Sequence, residues 1–537
     1  MFRKTTLWTI ALVLLWANSV FAYNVQLLPF KDEEHDYSRE PIYTLSALGI
    51  INGYDDRTYR PNVDLSREAF IKLLVMASQL EMTAPKDKLP ADVTKDRWSA
   101  PYISAALERE WLGGLLDQKG AFLPAQTITR QEVAMLVGRS LLDAEKQEVR
   151  EKWLSTEWKK ERDTRGFKDR DAISEAMQPY VYYAAYRGMM EGDAAGFKPG
   201  EPLIRKQAAA VIYRLIDKRI SGQKTDFTGY YAILSYPAVQ HMNKLSDVIL
   251  GWSHMEYGGS GAAAKLNTGT TEYRIPNGYE EVLNKADQAG LGKELMVFYN
   301  DVNLKEFLKD KPAQTAFIES LLATLHNPAY SFTGVSIDFE GLKEAGSAAD
   351  FVAFLQNVKK QLGSSYTLSV AVPPIHYYKG YDLAAIGKLA DSVILMAYDF
   401  TYSASKLPSA PLQLVNDTVQ TALQSIPKEK LVLGISKQAN QWITTDGVTS
   451  SVLKPSIEAV EKRLAMPGVK SQWMMPHFLN QTTFVDDGST HLIYYEDTQS
   501  IAKKVWLAKF YGLKGVSLWH MGHYTASDWK LVGEQAR

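Results

Sequence analysis

The chain is 537 residues long, with 60 basic and 61 acidic side chains, a formal net charge of -1 and no cysteine. Single cores stop growing near about 250–300 residues, so two or more domains are expected. The even charge balance gives no footing for nucleic acid or another polyanion. The missing thiols exclude disulfides, thiolate nucleophiles and Cys-ligated zinc.

Arg3 and Lys4 precede an apolar run over residues 7–17 and then Val20-Phe21-Ala22. That layout reads as a secretory signal peptide over 1–22, with a small residue at the cleavage point. No later segment approaches the roughly 18 uninterrupted apolar residues of a spanning helix, so no membrane contact is expected after cleavage.

The next part of the chain is repetitive. Phe30-Lys31-Asp32 opens one unit, Ala91-Asp92 a second and Phe167-Lys168-Asp169 a third. Each continues into a helical pattern such as Ile42, Leu45, Leu48, spaced for one buried face. Each then turns through glycine, at residues 49–54, 111–114 and 188–192, and reaches a proline, Pro61, Pro124 or Pro199. Ser66-Arg67-Glu68, Thr129-Arg130-Gln131 and Ile204-Arg205-Lys206 follow. Ser66 and Thr129 suit N-caps, which puts an arginine in the first turn of a helix, a place for an anion. The units span 28–85, 88–145 and 164–218, followed by a linker over 219–228. Residues 143–165 are dense in charge and read as a solvated helix inserted between units, with Trp153 and Trp158 on different faces.

These units resemble S-layer homology domains, three copies of which form a pseudo-trimeric helical module. The resemblance implies a grip on an anionic secondary cell-wall polymer through Arg67, Arg130 and Arg205. It also implies a secreted protein bound to the wall or S-layer of a Gram-positive-type bacterium. Ile204 and Lys206 depart from the repeat pattern.

From about residue 229 to 537, short apolar strands alternate with amphipathic helices, the pattern of a (β/α)8 TIM barrel. The expected strands are 232–235, 247–252, 295–299, 334–339, 367–372, 392–398, 431–435 and 515–519. The whole is therefore an α-rich triple repeat followed by a TIM barrel. In the fourth strand Ser336, Asp338 and Glu340 share one face, while Val335, Ile337 and Phe339 take the other and need apolar helices to cover them. Two carboxylates two residues apart repel, and burial raises the cost of charging both. One of them should hold its proton near neutral pH, as a general acid must.

Residues 333–340 resemble the catalytic strand of glycoside hydrolase family 18, the chitinase-like TIM barrels, with consensus Asp-Gly-x-Asp-x-Asp-x-Glu. Gly334, Asp338 and Glu340 match, whereas Thr333 and Ser336 replace the first two acids. Met396-Ala397-Tyr398-Asp399 resembles the family's Met-x-Tyr-Asp signature, residues 431–434 match its seventh strand, and Trp519 its eighth-strand tryptophan. Residues 494–497 and 500–504 look like the spore-cortex and germination N-acetylglucosaminidases. The resemblance implies that Glu340 is acid and base, that Asp338 and Tyr398 hold the substrate's acetamido group, and that Asp399 helps hold the ring. Trp519, Ser336 and Met396 would line the sugar subsite. No metal and no organic cofactor is implied. The implied substrate is an amino-sugar polysaccharide, peptidoglycan ahead of chitin. A lectin-like glycan-binding protein that keeps the groove without catalysis is the alternative. His254, Tyr257 and His376 remain open between site and core.

Overall fold

The computed structural model describes residues 28–82, 89–401 and 406–537. The expected signal peptide lies outside them, as does the junction near residues 85–88 between the first two repeats. No helix among the described residues is long and apolar enough to cross a membrane.

Among the described residues, eight α-helices build the N-terminal module: α1 (Arg39–Ala47), α2 (Arg67–Ala77), α3 (Ala100–Glu108), α4 (Arg130–Asp143), α5 (Gln147–Lys152), α6 (Trp158–Arg165), α7 (Gln178–Tyr186) and α8 (Arg205–Ile220). The three repeats close on one another around a pseudo-threefold axis. The Leu65 N–H donates to Leu203 C=O, Leu203 N–H to Ile128 C=O, and Ile128 N–H to Leu65 C=O, each at 2.9–3.0 Å. Just beyond this ring, the backbone N–H groups of Arg67, Arg130 and Arg205 donate to Gln126, Glu201 and Val63. These bonds use N–H groups that a helix start otherwise leaves unpaired. The opening aspartates explain themselves in the same way. Asp32, Asp92 and Asp169 each accept two backbone N–H bonds across the repeat, from residues 59–60, 122–123 and 197–198. The second residue of each pair, Arg60, Leu123 or Lys198, sits at positive φ, a conformation that costs a non-glycine residue energy and that the carboxylate holds in place.

The charged insert is helical, but not as one α-helix. A π-helical turn over Trp153–Glu157 joins α5 to α6. Its wider winding brings Trp153 and Trp158 onto the same neighbour, α7, which corrects the expectation of different faces. Trp153 packs edge-on to Tyr183 at 4.8 Å and donates its indole N–H to Pro179 C=O, while Trp158 stacks on Tyr182.

Fourteen strands follow: β1 (Asp226–Tyr231), β2 (Asp247–Glu256), β3 (Lys265–Asn267), β4 (Gly292–Tyr299), β5 (Gly334–Phe339), β6 (Thr367–Val372), β7 (Ser392–Leu395), β8 (Leu431–Ser436), β9 (Asn440–Thr445), β10 (Val448–Thr449), β11 (Ser471–Met474), β12 (Leu479–Asp486), β13 (Ser489–Tyr495) and β14 (Gly515–Trp519). Eight of them, in the order β1-β2-β4-β5-β6-β7-β8-β14, pair in parallel, and β14 returns to β1 to close the barrel. Two expectations need correcting. Residues 232–235 are not the first strand, because Ile233–Lys244 winds into 3-10 turns and β1 lies just upstream. Half of the 219–228 linker is in turn occupied by the end of α8 and the start of β1, which leaves 221–225 between them. β1 hides from an apolar-run reading because it needs Gly229, where a Cβ would sit 2.6 Å from Leu245 and 2.7 Å from Met521.

The outer face of β5 meets its expected cover: Phe339 stacks on Phe354 at 5.4 Å, with Phe307 and Phe317 beside it. Between β8 and the helix Thr498–Tyr511, the chain inserts an antiparallel sheet, β10-β9-β13-β12-β11. Buried ion pairs fasten it to the barrel, Lys437 to Asp528 and Lys504 to Glu496, both at 2.6 Å, while Asp497 caps the helix that follows.

The repeat module docks along that same helix. Lys503 pairs with Glu40 of α1 at 2.8 Å and lies over the rings of Tyr213 and Trp506; Trp506 stacks on Tyr213 and donates to Asp217.

At the barrel floor, Glu294 accepts hydrogen bonds from Ser369 and Thr367, and burial pushes its carboxyl up to about 7. The native state therefore binds this proton more tightly than the unfolded chain does, and stability is lost as pH rises from about 4.5 through 7. Glu294→Gln lacks this loss. From pH 5 to pH 8 the stability difference should move in the variant's favour by roughly 2 kcal/mol, read by denaturant unfolding at both pH values.

Candidate active site

β5 carries Ser336 and Asp338 into the barrel interior and delivers Glu340 to its rim, where the Glu340 N–H donates to Tyr299 C=O at 2.8 Å. Gly341 then turns the chain away at φ 95°. Asp338 is 3% exposed, and its Oδ1 finds no hydrogen-bond donor among the described residues. Burial, and then the Glu340 charge, hold its carboxyl well above the usual range. Glu340 is also raised, by burial and then by Asp399, against a lowering pull from Lys454; its Oε2 accepts from the Asn300 amide at 3.3 Å. Both carboxyls are thus raised, by burial and by neighbouring acids, in the direction the strand pattern suggested.

Tyr398 faces this pair. Burial and the Asp338 charge push its phenol far up, so it stays a hydrogen-bond donor at any working pH. It fits because β8 supplies Gly434: a Cβ there would lie 2.8 Å from Leu395 O and 3.2 Å from the Tyr398 ring. Met396 is buried behind the tyrosine. Trp519, half-buried, meets Tyr230 edge-on at 5.2 Å, and the Ser336 hydroxyl faces the Tyr230 phenol. Trp519, Tyr230, Met296, Glu272 and Tyr273 line a cavity of about 180 Å³. Asp399 stands at the rim at φ 60°, exposed and paired with Lys454 at 3.0 Å.

The fold thus gathers Asp338, Glu340, Tyr398, Ser336 and Trp519 at one barrel mouth, with Met396 behind them and Asp399 beside them. It adds residues that the sequence reading passed over. Tyr230 was missed because its strand was placed too far downstream. Tyr273 rises from the irregular stretch after β3, stacks on Phe298 at 4.7 Å, and has its phenol pushed up to about 12 by burial, Glu272 and the acid pair. Asn300 and Lys454 sit on connections with no periodic pattern. The three open residues fall outside the acid pair. His254 contacts the Tyr273 carbonyl and the Glu256 carboxylate, Tyr257 donates to Asp310, and His376 lies 3.0 Å from Asp417.

The three repeat arginines share a position and differ in exposure. Arg67 is sealed, bonded to Glu132 and to Phe122 C=O, which corrects its expected role as an open anion ligand. Arg130 lies against Phe197 and donates to Phe197 and Glu191 carbonyls, keeping one edge on a groove of about 500 Å³ that Arg214 also lines. Arg205 lies over Tyr59 and Tyr54 and donates to Tyr59 and Asn52 carbonyls.

Residues 228–523 match the family described as Glycosyl hydrolases family 18. The chain belongs to that family. The S-layer homology domain matches residues 29–71 and 166–209, two of the three repeats that the threefold ring displays. Among curated relatives, the cortical fragment-lytic enzyme of Bacillus anthracis is 27% identical over 42% of this chain and 54% of its own length. Chitinase 1 of Aphanocladium album is 26% identical over 35% of this chain and 52% of its own length. The chain spans about half the length of these curated relatives. The spore cortex-lytic enzyme SleL of Bacillus cereus shares the fold, with a TM-score of 0.50, 21% identity, and coverage of 59% of this chain and 75% of that one.

The space that Gly434 leaves for Tyr398 is testable. Gly434→Ala places a methyl against backbone and ring and should cost about 1–3 kcal/mol in denaturant unfolding. Gly346→Ala, with no atom within 4 Å of its missing Cβ and no positive φ, serves as the control for a methyl added without a clash.

Proposed function

We propose that this protein is a wall-anchored glycosidase that cleaves N-acetylglucosamine-containing glycans, peptidoglycan ahead of chitin, by a retaining, substrate-assisted reaction. The observation that carries the reading is Asp338 Oδ1: a buried carboxyl oxygen without a donor among the described residues, two residues before Glu340, whose carboxyl burial and Asp399 raise, at the barrel mouth that Trp519 also reaches. A 2-acetamido N–H is the donor that this oxygen lacks.

Glu340 gives its proton to the leaving glycosidic oxygen as that bond breaks. The substrate's acetamido oxygen attacks C1 and forms an oxazolinium ring, so no enzyme carboxylate bonds to the sugar. Asp338 accepts the acetamido N–H, which steadies the growing positive charge, and the Tyr398 phenol donates to the acetamido oxygen. Trp519 stacks beneath the ring. Water then opens the oxazolinium, giving its proton to Glu340 and restoring the starting state with retained configuration.

Peptidoglycan is placed first because the repeat module suits a wall anchor and because relatives named as cortical fragment-lytic enzymes match the barrel. Arg130 and Arg205 are the arginines still open to an anionic wall polymer, and the signal peptide read over 1–22 would deliver the protein outside the cell.

Glu340→Gln should lower release of reducing ends from purified sacculi at least about 100-fold at unchanged thermal stability, the range expected on loss of a general acid. Equal product from variant and parent removes Glu340 from its role. No product from either, with retained glycan binding, leaves the lectin-like reading. For the anchor, Arg130→Ala with Arg205→Ala should lower retention on walls in a sedimentation assay while the fold persists. Arg67→Ala should instead destabilise the module by about 3–5 kcal/mol, because it strands Glu132.

A further inference from the structure

The inserted sheet does more than widen the barrel rim. It is fastened to the segment that follows β7 at separate points: Lys406 donates to Thr449 Oγ1, Thr401 Oγ1 to Asn440 Oδ1, and Leu412 N–H to His477 C=O. A further contact reaches the reacting groups. Lys454, in the connection after β10, places its Nζ 3.0 Å from Asp399 Oδ2, while the backbone N–H of Asp399 donates to Ser409 Oγ at 3.1 Å. Asp399 is held at φ 60°, a conformation a non-glycine residue keeps only when its surroundings fix it.

We infer that Lys454 is a positioning residue: it pins the Asp399 carboxylate beside Glu340 and offsets its charge, so that the inserted sheet governs how tightly the general acid holds its proton. The groups facing Glu340 from each neighbouring element make the case. Asp338 comes from β5, Tyr398 and Asp399 from the end of β7, Tyr273 from the stretch after β3, and Tyr378 and Tyr381 from the connection after β6. Every one of these is an acid or a phenol, and among the described residues Lys454, paired with Asp399 at 3.0 Å, is the cation set against them. Without it, Asp399 would stand beside Glu340 as an uncompensated anion and drive the proton on more tightly. With it, Glu340 can both give up its proton to the leaving oxygen and recover one from water.

The catalytic consequence rests on the proposed hydrolase function, but the electrostatic claim can be read without turnover. Glutamate labelled with carbon-13 at the side-chain carboxyl gives a Glu340 resonance, assigned by its loss in Glu340→Gln, that can be followed from pH 4 to pH 9. Lys454→Met, which keeps the chain length and removes the charge, should raise its midpoint by about one pH unit. Lys454→Arg should return it to the parental value. In an Asp399→Asn background, Lys454→Met should shift the midpoint by less than half as much, because the carboxylate that holds the ammonium in place is gone. On a fluorogenic chitooligosaccharide, the basic limb of kcat/KM should move by the same amount as the resonance. An unchanged midpoint in Lys454→Met overturns the inference, and so does an equal shift with and without Asp399, which would mean that the ion pair positions neither charge. Absence of turnover in the parent protein overturns the hydrolase reading alone, since the titration still decides the role of Lys454.

Discussion

Two carboxyl groups set two residues apart on β5 must share a barrel mouth that excludes most water, and both cannot ionise freely there. The rest of the site answers that constraint. Among the described residues Asp338, the deeper of the two, lacks a donor on Oδ1, while Glu340, at the rim, has an amide from Asn300 and the opposing charge of Lys454. Around them stand phenols whose protons burial makes hard to remove, so the mouth is rich in donors yet poor in positive charge. Such a pocket favours a neutral, acceptor-bearing group over an anion, and an N-acetyl group satisfies both of its halves: N–H for the acid, C=O for the phenol.

The anchor module solves a different problem by repetition. Each repeat starts a helix that buries an unpaired N–H end, and each satisfies it with the backbone of the next repeat, so the three units are complete only as a closed ring. The same economy explains why the arginines diverge. Position alone would make all three equivalent, but Glu132, besides capping Thr129, pairs with Arg67, and the third repeat has the uncharged Gln207 at the matching place, capping Ile204. One arginine was thereby spent on internal structure, and the others kept an open edge.

Much of this was legible in the sequence, and what was not has physical causes. The acid pair could be read because alternation along β5 fixes its side, whereas the Met-x-Tyr-Asp run and Trp519 were legible through family likeness; the strand expected over 392–398 ends at Leu395, which leaves Tyr398 and Asp399 beyond it. Seven of the eight barrel strands could be read from apolar runs; β1 could not, because close packing there demands Gly229 and breaks the run. The inserted sheet escaped because its strands are short, antiparallel and mixed in polarity, and its meaning lies in contacts with distant loops. Lys454 and Tyr273 belong to such irregular segments, where spacing carries no directional information. Residues 494–504, readable only as a family likeness, turn out to be fastenings: Glu496 with Lys504, Asp497 as a helix cap, and Lys503 at the module junction.

That junction has a bearing on where the protein can work. With only residues 221–225 between α8 and β1, and with Lys503, Trp506 and Tyr213 packed into the seam, the barrel has no leash on which to roam. On the proposed wall anchor, a barrel mounted so stiffly would survey a thin shell around its foothold, at one height and one tilt. Its reach across the sacculus would come from how densely the molecules are planted.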